Sequence, residues 1–469
     1  MLEGGIMDQP VRNRSRHWPV GIAVLAIALL TSACWRAAPI DGPGAAPGIG
    51  TTADPVPNDK AATTVQFLSF ANLPVMLASD AATHAVRIGA FGGDSLWRWF
   101  LVDGPGSTGT GATTDSVGGG ASILQSGTDG SGFPIVEAFY FDSTTNSLRH
   151  ATFAGGTPTI TRETVDGSGS TAPGHVADTV GQFANPSFVT GGNLHVLYAA
   201  VHRTNPGATV RLRHAVHTGQ GWIFQDVDGP GGVASGATAD DVGQNASVAF
   251  AGDFEHAFYF DATTFRLRHA KFDGSTWTAE DLDGPGVPGG AGRTSDHVGG
   301  GSTAAVATSD GHLHVFYIDN TASRLRHGDF DGTSWTFTNL DGPGIGGGAG
   351  RSPDLMGGSV SVAQNAPAPF IDVVYTNLST LSLRHAQWNG SMWRFETIDG
   401  AGNFTVGGTT DQVGFPTITG AVTQQMNAAV YGGASSSILH VFTGDKTTGA
   451  LREECTLGVG ILAPANCAN

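Results

Sequence analysis

The chain runs to 469 residues, 40% apolar and 13% charged, with 70 glycines and a formal net charge of −17 at pH 7. The balance of 23 Lys+Arg against 40 Asp+Glu argues against a nucleic-acid partner, whose phosphates require a basic patch. The glycine excess, with no sustained 3.6-residue apolar period after residue 60, argues against long helices and for many tight turns around a large core.

Taken in chain order, the first segment reads as an address. Arg12, Arg14 and Arg16 precede the apolar run Pro19 to Leu30, which is too short for a mature membrane span and has the form of a secretory signal. It leads into Leu30-Thr31-Ser32-Ala33-Cys34, which resembles the lipobox of bacterial lipoproteins. That resemblance implies cleavage before Cys34 and acylation of Cys34, the only membrane attachment expected. An ordinary secreted protein cut near Ala33, or an uncleaved anchor, is the alternative. Met7 directly precedes the basic region, so Met1 to Ile6 read as a mis-assigned start. Residues 1–33 are thus expected as a signal peptide of lipoprotein type, 34–62 as a flexible linker rich in Pro, Gly, Ala and Thr, 63–460 as the fold and 461–469 as a tail.

Runs of Val, Phe, Tyr, Thr and Trp broken by Gly, Asp, Asn and Pro then predict an all-β chain. Leu-Arg-His recurs at Leu148-Arg149-His150, Leu212-Arg213-His214, Leu267-Arg268-His269, Leu325-Arg326-His327 and Leu383-Arg384-His385. Val86-Arg87-Ile88-Gly89 reads as a degraded first copy and Ile438-Leu439-His440-Val441 as a degraded last one, which makes seven units. The fifth unit contains four candidate strands: Ser302 to Thr308, His312 to Asp319, Arg324 to Phe330, and Trp335 to Leu340. Units of four short strands at this period predict a seven-bladed β-propeller of four-stranded antiparallel blades, which removes free sheet edges by closing into a ring. Whether an N-terminal strand completes the last blade is open at this point.

Within a unit, a four-residue hairpin loop such as Asn320 to Ser323 sets Tyr317 opposite Arg326. All six tyrosines (Tyr140, Tyr198, Tyr259, Tyr317, Tyr375, Tyr431) are assigned to this second-strand position. A guanidinium over each ring, with an Asp seven residues earlier (Asp80, Asp142, Asp261, Asp319), is the expected arrangement. The third-to-fourth turn, Phe-Asp-Gly-x-x-Trp in Phe272 to Trp277 and Phe330 to Trp335, carries hairpin-turn residues. Between units runs Asp-Gly-x-Gly followed by a second Asp, starting at Asp103, Asp166, Asp228, Asp283, Asp341 and Asp399. Asx turns account for these loops, with calcium as a weaker alternative and no other cofactor implied. In an up-and-down blade, the Tyr/Arg hairpin and the Asp-Gly loops share one face and the Trp turn lies on the other.

The hairpin, the arginine and the Asp-Gly-x-x-Trp turn resemble bacterial seven-bladed propeller lectins and the related six-bladed fucose-specific lectins. The resemblance implies repeated, multivalent glycan sites in which Arg149, Arg213, Arg268, Arg326 and Arg384 match the family's arginine; no recurring glutamate matches. Tyr140, Tyr259, Tyr317 and Tyr375 complete the expected ligand-binding set. The competing reading is a face that docks another envelope protein. An enzyme is not expected, since the His and Asp residues recur in every unit whereas catalysis needs one unique constellation. The protein is expected to be exported and monomeric. Cys455 and Cys467 are expected to pair in an oxidising compartment, stapling the C-terminal strand.

Overall fold

The computed structural model describes residues 34–41, 65–70, 73–80, 83–91, 97–154, 159–182, 187–202, 209–252, 254–348, 350–365, 370–402, 408–413, 427–431, 438–445, 447 and 451–457. Among them every regular element is a β-strand, and the strands form seven antiparallel sheets. Blade one comprises Val65–Phe70, Leu73–Asp80, Ala85–Phe91 and Trp97–Asp103. Blade two comprises Val117–Thr128, Pro134–Asp142, Ser147–Ala154 and Thr159–Asp166. In blade three the first position is split into Thr179–Val180 and Ser187–Thr190, both paired with Asn193–His202; Thr209–His217 and Trp222–Asp228 follow. Blade four is Val242–Ala251, Phe254–Asp261, Arg266–Phe272 and Trp277–Asp283. Blade five is Val298–Ala307, Leu313–Asp319, Arg324–Phe330 and Trp335–Asp341, and blade six Met356–Asn365, Phe370–Asn377, Ser382–Trp388 and Trp393–Asp399. The four strands expected in unit five all form, the first beginning earlier than the sequence suggests.

Blade seven corrects the sequence reading twice. Its first three strands are Asn427–Tyr431, Ile438–Gly444 and Leu451–Leu457, and its fourth is Cys34–Asp41 from the other end of the chain. The front of the expected linker is therefore the strand that closes the ring. The third-strand motif is Leu451-Arg452-Glu453, not Ile438 to Val441, and Tyr431 lies on a first strand rather than a second. The misreading has a physical origin. Trp35 and Asp41 bracket a strand spaced like Trp335 to Asp341, but the Pro39 and Ala residues between them weaken its β pattern. Residues 1–33 and 461–469, Cys467 among them, lie outside the described residues; Cys455 stands on the third strand of blade seven.

Successive blades pack through their inner strands, and Asn427–Tyr431 of the last packs on Val65–Phe70 of the first. The apolar core lies between blades rather than within one. Leu77 and Ile88 of blade one pack with Val136 and Ala151 of blade two, and Phe316 and Leu325 of blade five with Ile371 and Val373 of blade six. Each such side chain buries about 1.5–3 kcal/mol of transfer free energy only if the neighbouring blade is present, so the ring is stable as a set.

Candidate functional site

Opposite the leucine of each Leu-Arg-His the fourth strand bulges by one residue. In blade five Arg326 pairs with Asn339 but Leu325 pairs with Asp341, and blade seven repeats the bulge where Leu451 pairs with Asp41. A bulge re-aims a side chain. In blades one to six it turns the last residue, the Asp of the Asp-Gly loop, towards the next blade. Asp283 Oδ2 accepts from the Tyr317 hydroxyl at 2.6 Å and from Arg326 Nε at 3.1 Å, while its Oδ1 accepts from the Thr294 amide at 2.8 Å. The same clasp joins Asp103 to Tyr140 and Arg149, Asp166 to Tyr198 and Arg213, Asp228 to Tyr259 and Arg268, and Asp341 to Tyr375 and Arg384. In blade seven Arg452 meets Asp399 at 2.8 Å, with Thr443 opposite in the tyrosine's place.

The remaining guanidinium nitrogens are also engaged. Arg326 Nη2 donates to the Gly292 carbonyl at 2.7 Å and Nη1 to Asn339 at 2.6 Å; Arg384 does the same with Gly350 and Thr397. Gly292, at φ 78°, carries no Cβ because one there would overlap the carbonyl of Phe337 in the next blade. The five clasp tyrosines are 0% exposed and Arg149, Arg213, Arg268, Arg326 and Arg384 are 3–7% exposed. Burial, then the neighbouring Asp, pushes each tyrosine hydroxyl well above its ordinary range. The expected pairs do form, but as buried bolts between blades. Tyr140, Tyr259, Tyr317 and Tyr375 are fully buried and the five arginines nearly so.

One further expectation changes. Of the four Asp residues expected to partner the Arg seven residues on, Asp80 does so, with Arg87 Nη2 and Asp80 Oδ2 3.0 Å apart. Asp142, Asp261 and Asp319 instead accept backbone amides of their own hairpin turns. In the Asp-Gly loops, both oxygens of the first Asp accept from protein donors.

The histidine and the tryptophan form a second interface. Trp393 of blade six lies edge-on to His327 of blade five at 5.6 Å between ring centroids, Trp335 to His269 at 5.9 Å, Trp277 to His214 at 5.5 Å and Trp222 to His150 at 5.6 Å. The third strand therefore bolts backwards through Arg and forwards through His. What flanks the histidine differs by blade. His150 sits between Glu137 and Glu163, and His385 between Asp372 and Glu396. Burial opposes charge on His385, but hydrogen bonds to the two carboxylates prevail and raise it to about 9. His214, His269 and His327 instead face a second imidazole, from His195, His256 and His314, each pair 2.9 Å apart.

The cavity suited to a ligand opens between blades five and six, at the end carrying the Trp turns. It encloses about 530 Å³ and is lined by Asp310, His312, His314, Asp329, Arg351, Trp388 and Trp393 among others. Trp388 and Trp393 lie 5.6 Å apart, tilted by 43°, and form one wall. On the other, His312 Nδ1 meets Asp329 Oδ1 at 2.8 Å, and the hydrogen bond to Asp329 raises the imidazole's pKa above its usual value. Asp310 accepts from the Thr308 hydroxyl at 2.6 Å and is itself exposed. Arg351 leans over the Phe395 ring at 5.2 Å and donates to the Leu340 carbonyl at 2.8 Å. None of these residues entered the expected site. Their signal was departure from the repeat: five residues before the tyrosine stand Ile135, Asn193, Phe254, His312 and Phe370, and only unit five offers a titratable group. On the opposite face a shallower cavity between blades two and three holds Asp178, already bound by His202 and Arg211 at 2.5 and 2.7 Å.

No known family's sequence profile matches the chain, and no curated protein matches it by sequence. Among solved structures, the chain is similar to the Aleuria aurantia lectin in complex with α-methyl-L-fucoside at 15% identity, covering 75% of this chain and 96% of that one, with a TM-score of 0.42. It is similar to a polysaccharide lyase, an ulvan lyase, at 12% identity, covering 84% and 93%, TM-score 0.47. A Hadza microbial sialidase matches at 11% identity over 89% and 86%, TM-score 0.40.

Proposed function

We propose that the protein binds a neutral, hydroxyl-rich saccharide in the cleft between blades five and six. The observation that carries this reading is the facing of the Trp388/Trp393 wall by Asp310, His312 and Asp329 across about 530 Å³. An aromatic face packs on the C–H face of a pyranose, while carboxylates and an imidazole accept and donate to its hydroxyls; a few convergent polar groups on an apolar wall are what a small-ligand pocket requires. Two carboxylates at the rim of a chain with net charge −17 disfavour an anionic sugar. Among the described residues this constellation occurs once, so one saccharide per chain is expected instead of an avid array. A glycan array tests this. Retained binding by wild type and loss by Trp388→Ala and Asp310→Ala supports the reading; an array with no bound sugar, or binding that ignores both changes, defeats it.

A second reading, a glycan-processing enzyme, is favoured by one feature: the half-buried His312 paired with Asp329 is an acid–base couple that lines the cleft. Turnover of a bound glycan that stops in His312→Ala while the sugar still binds would select it over a lectin. Docking of another envelope protein predicts instead a partner that protects this cleft and no glycan.

We infer export with acylation at Cys34 from the signal sequence. Because the closing strand begins at Cys34, cleavage before it keeps the whole strand in the mature chain. The lipid would then sit at the start of a fourth strand, on the same face as the cleft, with the ring close to the bilayer and no tether between. Incorporation of labelled palmitate that disappears in Cys34→Ser supports this; label retained in the variant, or absent from wild type, defeats it.

A further inference from the structure

We propose that His195, His214 and Glu255 bind a divalent transition-metal ion, zinc by preference, between blades three and four. Two imidazole nitrogens and one carboxylate oxygen, each from a different strand, lie within 4.8 Å of one another. His195 Nδ1 is 2.9 Å from His214 Nε2 and 3.8 Å from Glu255 Oε1, a span that suits ligands about 2 Å from a common tetrahedral ion. All three side chains are more than nine-tenths buried, at 5%, 3% and 4% exposure.

The contrast with the other blades carries the inference. In blades two and six the repeated histidine is saturated by two carboxylates. In blade four the imidazole pair is continued by Glu280, which accepts from His269 Nδ1 at 3.0 Å. In blade three the carboxylate comes from the neighbouring blade and its Oε2 is buried with no hydrogen-bond partner. Asp372 of blade six also has a buried unpaired Oδ2, but its Oδ1 meets His385 Nε2 at 2.9 Å, whereas the Glu255 carboxylate has only the 3.8 Å approach to His195. Neutral imidazoles and an ionised carboxylate are the forms that ligate, so binding is expected to release protons and to weaken at low pH. Phe188 stacks on His195 at 4.9 Å and Phe250 meets Phe188 edge-on at 4.9 Å, so aromatic rings cover the cluster. The ion serves as an extra bolt across this one interface, with a fourth coordination position for water.

The test uses the full chain without a polyhistidine tag, stripped with a chelator and titrated with Zn(II) by calorimetry and with Co(II) by visible absorption. One tight equivalent, a four-coordinate cobalt spectrum and a zinc-dependent rise in Tm are expected. Glu255→Gln, which keeps shape and polarity, should weaken the affinity at least roughly 100-fold and abolish the Tm shift. His312→Ala, in the cleft of blade five, should leave the equivalent in place. No bound zinc at micromolar concentration, or an equivalent that survives Glu255→Gln and is lost in His312→Ala, would overturn the proposal.

Discussion

Arg326 of blade five donates through Nε to Oδ2 of Asp283, the last residue of blade four, at 3.1 Å, and the Tyr317 hydroxyl joins the same oxygen at 2.6 Å. The pair is buried, so its two members are worth far more together than apart. Arg326→Ala strands the Asp283 carboxylate against Tyr317 and is expected to destabilise the fold by about 3–5 kcal/mol, read by denaturant unfolding. The change should not weaken saccharide binding by the protein that remains folded. A loss below about 1 kcal/mol would show that the clasp does not hold the ring.

Trp335 packs edge-on against Phe258 and His269 of blade four, at 5.8 and 5.9 Å. Trp335→Ala opens a cavity at that interface and should cost about 3 kcal/mol, while Trp335→Phe should recover part of it. Equal stability of both variants would exclude the packing role.

His385 gives stability a pH dependence of known sign. Its folded pKa, about 9, lies above the unfolded value near 6.5, so between those limits the folded chain retains a proton that the unfolded chain has released. The contribution is complete below about pH 6.5 and lost as pH rises through about 9. Compared with His385→Gln, wild type should show an advantage of a few kcal/mol at pH 6 that vanishes by about pH 10. An advantage that grows with pH would reverse the assignment.

The closing strand separates a tether from a structural element. A chain begun at Gly42 lacks Cys34–Asp41 and exposes the Leu451–Leu457 edge, so it should unfold earlier and self-associate through that edge, by calorimetry and light scattering. A chain begun at Cys34 should do neither. Identical behaviour of the two would return the segment to the role of linker.

The period of the repeat, the all-β class and the Tyr317–Arg326 register were legible because period and alternation are local properties of the chain. Three things were not. The seventh fourth strand was hidden at the opposite terminus, and with it the register of blade seven slipped to Leu439. The purpose of Arg and Tyr depends on a bulge at Leu340 that aims Asp341 at the next blade, a contact between units that one unit's sequence cannot reveal. The cleft is not legible in the repeat because Asp310, His312 and Asp329 depart from it, and only the packing of blade five against blade six sets them opposite Trp388 and Trp393.

Calorimetric titration of the glycan selected by an array, into wild type and Trp388→Ala, tests the central claim most directly. One site per chain, abolished by Trp388→Ala and unaltered in the folded fraction of Arg268→Ala, is the predicted result. Several equivalent sites per chain, or binding lost with Arg268 and kept without Trp388, would contradict it and restore the repeated tyrosine–arginine pairs as the ligand sites.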